Sequence, residues 1–228
     1  MAKIGVIIVA GGAGHRMGAS IPKQFMLLGN QPILARTINT FHEALPKAEI
    51  VVVLPKEHIT LWENLSARFD VAPHHIAQGG AERFHSVKSG IEALQGECDY
   101  IAVHDAVRAL VSKKLIIKLA LQAEQHDAVI PVIEATDSLR KVTGDSSEII
   151  NRSEIRLVQT PQLFKSELLR KAYRQEYQTQ FTDDASVVES AGFKVALCEG
   201  ERENIKITTP VDLTIAEAIL NQQDAEEF

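Results

Sequence analysis

Two cations, Arg16 and Lys23, bracket or follow a stretch with little side-chain bulk: Ala10-Gly11-Gly12-Ala13-Gly14-His15-Arg16-Met17-Gly18, after an apolar run from Ile4 to Val9. Glycine lets a backbone approach a ligand closely and adopt positive φ, so successive N–H groups can point into one concavity. Such a loop, leaving the carboxyl end of a buried strand beside cations, suits a polyphosphate. The plainer alternative is a glycine turn joining strand to helix. Neither familiar nucleotide motif fits. The dinucleotide fingerprint needs a third glycine at position 17, which is Met, and an acid after the second strand, which ends Val53-Leu54-Pro55. The P-loop needs Ser or Thr after its lysine, and Lys23 is followed by Gln24.

Three further stretches carry chemistry at predicted strand ends, where open α/β sheets place their sites. In Gly79-Gly80-Ala81-Glu82-Arg83-Phe84-His85-Ser86, small residues precede a helix and Ser86 is placed for a base or ribose. In His104-Asp105-Ala106-Val107-Arg108, an acid and an arginine emerge together. Asp105 either pairs with Arg108 or, near a triphosphate, helps hold Mg2+. In Asn204-Ile205-Lys206-Ile207-Thr208, strand alternation predicts Asn204 and Lys206 on one face, where Lys206 needs an anionic partner. The histidines form no metal set, and His104 reads as a hydrogen-bonded core residue. No nucleophile elbow is present.

The elements that must position these groups alternate. Strands are predicted at 4–9, 49–54, 75–77, 100–103, 128–132, 194–198 and 203–207. Helices are predicted at 33–41, 56–69, 85–94, 113–126 and 165–178, with Thr182 as N-cap of another, and Thr209-Pro210 opening a last one. Trp62 reads as core. This rhythm predicts an α/β, doubly wound, mostly parallel sheet of Rossmann-like type. It breaks at 133–159, where charge is high and helical period absent. A projecting β-hairpin arm packing on a partner subunit is expected there, with a disordered excursion as the alternative.

At 228 residues the chain fits a single domain, 1–228, with that arm as an appendage. A net charge of −6 with no basic stripe disfavours nucleic acid as a partner, although locally gathered cations still suit an anionic substrate. Cys98 and Cys198 lie far apart and read as free thiols of a reducing compartment. No run reaches transmembrane length, and the opening apolar run is too short for a signal peptide. A cytoplasmic protein without membrane contact is the expectation.

Taken together, the glycine loop resembles that of sugar-nucleotide pyrophosphorylase-type nucleotidyltransferases. The ordered set Ala-Gly-Gly-x-Gly-x-Arg-Met, Pro-Lys-Gln-Phe, Gly-Gly-x-Glu-Arg-x-x-Ser-Val, His-Asp-Ala-x-Arg, Thr-Pro-Gln, Thr-Asp-Asp-Ala-Ser and Asn-Ile-Lys-Ile-Thr spans nearly the whole chain. It resembles the 2-C-methyl-D-erythritol 4-phosphate cytidylyltransferases, CTP-using enzymes of the non-mevalonate isoprenoid pathway. The resemblance implies transfer of CMP from CTP to methylerythritol phosphate with release of pyrophosphate, in a homodimer and with Mg2+. It implies that Ala10, Gly11 and Gly12 cradle CTP, that Gly80, Ala81 and Ser86 recognise cytosine and ribose, and that Arg16 and Lys23 neutralise growing charge. Asp105 would place the metal, with Ala106 and Arg108 near the second substrate. Arg152 of the arm, with Ser138, Thr160, Thr182 and Lys206, would complete the methylerythritol phosphate site, partly from the other subunit.

Several positions depart from the usual pattern. Position 15 is His rather than a second Arg, position 81 is Ala rather than an acid, His-Asp-Ala-Val-Arg-Ala replaces His-Asp-Ala-Ala-Arg-Pro, and the arm near Ile133 to Leu139 is longer. Ribitol 5-phosphate cytidylyltransferases share these motifs and are the alternative reading. A non-catalytic nucleotide-binding module is disfavoured by Arg16, Lys23, Asp105 and Lys206 occurring together.

Overall fold

Continuous apolar runs bury on both sides, and this dictates the architecture. The computed structural model describes residues 2–11 and 21–226. Strand β1 (Ile4–Val9) lies between β4 (Glu49–Leu54) and β6 (Tyr100–Asp105), parallel to both, and β5 (His75–Gln78) extends the sheet parallel to β4. Beyond β6 comes β11 (Gln162–Lys165), antiparallel to β6 and to its other neighbour β7 (Ala128–Glu134). The far half of β7 pairs with β10 (Arg156–Val158), and its outer edge pairs in parallel with β12 (Ala196–Glu199). A small ribbon, β2 (Leu27–Leu28) and β3 (Gln31–Pro32), stands apart.

Successive strand residues face opposite sides of a sheet. Val6, Ile8, Val52 and Leu54 therefore join one core, under α1 (Ile33–Ala44), α2 (Lys56–Ser66) and α4 (Lys113–Ala123). Ile7, Val51 and Val53 join the other, under α3 (Arg83–Ala93), α5 (Ser166–Ala172) and α6 (Asp184–Ser190). The doubly wound, mostly parallel sheet expected from the apolar runs is the observed one. Helix α3 sits close because Gly90 faces the sheet, where an added Cβ would lie 2.5 Å from Ile7 Cγ2. Helix α7 (Pro210–Glu226) closes a third, smaller cluster against Leu28, Ile33 and Leu110.

Three local expectations are corrected. No strand forms at 203–207: Asn204 is buried through side-chain and main-chain bonds to Thr160, Arg108 and Gln159, while the half-exposed Lys206 reaches Asp105 at the cavity wall. The helix expected over 165–178 is α5 alone, because Lys165 ends β11, a strand that helical spacing concealed. The N-cap before α6 is Asp183, not Thr182. Asp183 accepts from Ser186 N at 2.9 Å and its own N–H donates to Ser186 Oγ at 3.2 Å, a reciprocal capping box. Strands β10 and β11 run antiparallel within the mostly parallel sheet that was expected.

The arm is ordered as a hairpin. Strands β8 (Leu139–Thr143) and β9 (Ser146–Ile150) pair only with each other, joined through Gly144 at φ +59°. Val142 and Ile149 are about three-quarters exposed on it. The excursion is shorter than 133–159, since Ile133 and Glu134 belong to β7 and Arg156–Val158 returns as β10.

Candidate active site

The carboxyl ends of β1, β5 and β6 open into one cavity of about 300 Å³. Ala10, Gly11, Lys23, Gly80, Ala81, Ser86, Asp105 and Lys206 all line it, joined by Gln24, Arg83 and Thr208. Gly12 and Arg16 lie outside the described residues. Ala106 and Arg108 follow directly from Asp105, and Thr160 packs behind it. Arg152, Ser138 and Thr182 are exposed and do not line this chain's cavity. The sequence reading did not single out Arg83 or Gln24. Their signal was present only as unassigned letters inside two motifs.

Each wall has a local cause. Lys23 sits in a 3-10 turn, Lys23–Phe25, entered from Pro22. Phe25 stacks on the buried Trp62 with ring centroids 5.8 Å apart, which fastens the turn to α2. Gln24 Nε2 donates to Ala10 O at 2.9 Å, tying the same turn to the end of β1. Lys23 is thereby held 8% exposed at the cavity wall.

On the opposite wall, Gly80 N donates to Ser86 Oγ at 3.2 Å, and Ser86 Oγ donates to Glu82 O at 3.2 Å. A Cβ at Gly80 would collide with His85 Cβ. Gly80→Ala must therefore push the turn outward, and if the turn holds the nucleotide that the resemblance implies, affinity should fall by about tenfold, ~1.4 kcal/mol, while the fold persists. Calorimetric titration with CTP checks this. Unchanged affinity would remove the turn from the nucleotide site.

Asp105 is the electrostatic centre. Lys206 Nζ stands 2.8 Å from Oδ2, Arg83 Nε 3.4 Å from Oδ1, and Arg108 Nε 3.9 Å from Oδ2. Burial alone would lift the Asp105 carboxyl, but Arg83, then Lys206 and Arg108, hold it far below the usual carboxylate range. Arg108 is mostly engaged elsewhere, with Nη1 donating to Asn204 O at 2.7 Å. Arg83 grips Asp184 through both Nη atoms, at 3.0 and 2.7 Å. Burial opposes its charge, yet Asp184 and Asp105 raise its pKa further.

His104, fully buried, is the core residue that its sequence position suggested. Its Nδ1 lies 3.0 Å from Thr160 Oγ1 and its Nε2 3.2 Å from Arg108 O. A carbonyl only accepts, so Nε2 carries the proton and Thr160 donates to Nδ1, while Thr160 Oγ1 accepts from Asp105 N at 3.1 Å. Thr160 thus braces the Asp105 backbone. Burial lowers the His104 pKa to about 3. A folded pKa below the unfolded value means that the unfolded chain binds the proton first. Stability is then full above about pH 6.5 and falls by roughly 1.4 kcal/mol per unit below it until the folded pKa is reached. Urea unfolding between pH 7 and 5 checks this slope, which should flatten in His104→Gln.

The sequence model of the family described as 2-C-methyl-D-erythritol 4-phosphate cytidylyltransferase matches residues 4–222. The chain belongs to that family. A relative of that description from Bacteroides fragilis is 48% identical over 216 residues, covering 94% of this chain and 98% of its own. Among solved structures, 4-diphosphocytidyl-2C-methyl-D-erythritol synthase from Anaerococcus prevotii superposes with a TM-score of 0.83 at 28% identity, covering 96% of each chain. The 2-C-methyl-D-erythritol 4-phosphate cytidylyltransferase from Thermus thermophilus gives 0.74 at 32% identity, covering 95% of this chain and 98% of its own. Membership gives the cavity a reason for its contents: cations gathered beside glycine-lined strand ends.

The resemblance implies a metal ion at Asp105. Both Asp105 oxygens face cations, and no group of three or more His, Cys, Asp or Glu that could hold a metal occurs among the described residues. This does not fit a resident, protein-built metal site. It suits Asp105 as an anchor for cations.

Proposed function

We infer that the chain transfers CMP from CTP to the phosphate of 2-C-methyl-D-erythritol 4-phosphate, releasing pyrophosphate and giving 4-diphosphocytidyl-2-C-methyl-D-erythritol, a step of isoprenoid precursor synthesis. The observation that carries this reading is the convergence of Lys23, Lys206, Gly80, Ser86 and Asp105 on one cavity in a chain of this family. A phosphate oxygen of the acceptor attacks the α-phosphorus of CTP, the bond to the β-phosphate oxygen breaks, and pyrophosphate leaves. No covalent enzyme intermediate is required. What the protein must supply is in-line placement of two anions and relief of added negative charge.

In this reading Ala10, Gly11 and Gly12 carry the triphosphate, Gly80, Ala81 and Ser86 the cytidine, and Arg16 and Lys23 the charge that grows on transfer. Lys206 leaves Asp105 for a substrate phosphate, with Ala106 and Arg108 beside the acceptor. CTP enters as its Mg2+ complex, since Mg2+ commonly rides on substrate phosphates with few protein ligands. The metal supplies charge neutralisation along the triphosphate.

Arg152 and Ser138, which do not line this cavity, are read as serving a neighbouring copy in a homodimer. Arg152 Nη1 donates to Thr136 O on the arm, and the exposed Val142, Ile149 and Leu157 provide apolar surface for such an interface. Mixing Lys23→Ala with Arg152→Ala protein should then regain activity, because one subunit pair carries one intact composite site. A mixture as inactive as its parts rejects the shared site.

Pyrophosphate release with CTP and Mg2+, comparing methylerythritol 4-phosphate with ribitol 5-phosphate, tests the function. Release with the first acceptor is expected. Release only with ribitol 5-phosphate would keep the chemistry and reassign the acceptor, and silence with both would reject the reading.

A further inference from the structure

Arg83 joins two carboxylates across three elements. Its Nη atoms hold both oxygens of Asp184, and its Nε meets Asp105. Asp184 is wholly buried and bound again by the Tyr173 hydroxyl at 2.6 Å. It opens α6, Arg83 opens α3, and Asp105 ends β6. The helix dipole favours Asp184 at its position but opposes Arg83, so local preference does not explain the arginine. Nor does stability, since buried ion networks are often no better than apolar replacements of similar volume.

The three cations on Asp105 are not equivalent. Lys206 lies on an irregular segment with its side chain 45% exposed, free to move away. Arg108 stands 3.9 Å off and spends Nη1 on Asn204 O. Arg83 alone is itself clamped, by a bidentate partner that has no exposure to solvent.

We propose that Arg83 is a positioning residue of the transfer reaction: clamped by Asp184, it keeps the Asp105 carboxylate in place when Lys206 leaves for a substrate phosphate. This rests on the cytidylyl-transfer reading of the cavity.

Full-length Arg83→Met, Arg83→Met/Asp184→Asn and Arg83→Lys test it. The single Met variant leaves a buried unpaired carboxylate and should melt lower than wild type. The double variant removes that charge and keeps an acceptor for Tyr173, so its melting temperature should recover. Its turnover should nevertheless stay about 10²-fold down, as for reacting groups displaced by about 1 Å. Its CTP affinity by calorimetry should be unchanged. Arg83→Lys keeps a cation for Asp184 but cannot span both carboxylates, and should show the same split between turnover and affinity. Recovery of turnover together with melting temperature, or wild-type turnover in Arg83→Lys, overturns the proposal. Loss of CTP affinity equal to the loss of turnover also overturns it. Wild-type protein silent with CTP and methylerythritol phosphate overturns the underlying reading as well, and is seen before any variant is compared.

Discussion

Lys23→Ala should lose about 10²–10³-fold in turnover while its affinity for CTP changes far less. The reason lies in where the ammonium is held. Lys23 is 8% exposed in a turn fastened to β1 by Gln24 and to α2 by Phe25 on Trp62, so its position is set before substrate arrives. A preorganised, largely buried cation acts most strongly on the charge that grows during transfer, and needs no reorganisation at that moment. Single-turnover measurement beside equilibrium CTP binding separates the two effects. An unchanged turnover number with only a raised Michaelis constant for CTP would reject the transition-state role.

Asp105→Asn is expected to damage both catalysis and stability. Three cations, at 2.8, 3.4 and 3.9 Å, lose their shared anion, and the new amide can turn only its oxygen toward one of them. Breaking a buried pair costs about 3–5 kcal/mol, and partial exposure of Lys206 argues for roughly 2–3 here. Turnover should fall about 10³-fold, since the cavity loses the buried acid that holds its cations in place. The pH dependence has a definite sign. A carboxyl whose folded pKa lies below its unfolded value of about 4 stabilises fully above that pH and loses its contribution only as pH falls further. The stability difference between wild type and variant should therefore be constant from pH 7 to 5 and shrink below about 4. Denaturant titrations across that range decide it. A difference already gone at pH 5.5 would mean that the surrounding cations do not hold the carboxyl down.

Much of the molecule is legible in local pattern. Val6, Ile7 and Ile8, with Val51, Val52 and Val53, announce strands covered on both faces, because such strands are apolar at successive positions. The glycines at 79 and 80 before a helix, and the acid at 105 ending a strand, likewise place candidate groups at strand ends, where the cavity is found. Other features are silent for a physical reason. The strand Gln162–Lys165 is four residues long and flows into α5, so its pattern merges with the helix, and only its seat between β6 and β7 makes it a strand. The segment 203–207 alternates like a strand, yet the bonds of Asn204 to Thr160 and Arg108 hold it off the sheet.

Sequence by itself determined the covered sheet, the glycine-lined strand end and the charge types of the site, because burial period and backbone permissiveness are encoded residue by residue. Tertiary structure alone decided who partners whom. It turned Lys206 and Arg83 onto Asp105, gave Arg83 to Asp184 from 101 positions away, and set Arg152 apart from the lining of its own chain's cavity. Charge pairs form wherever the packed backbone brings them within a few ångströms, and no local period records that distance.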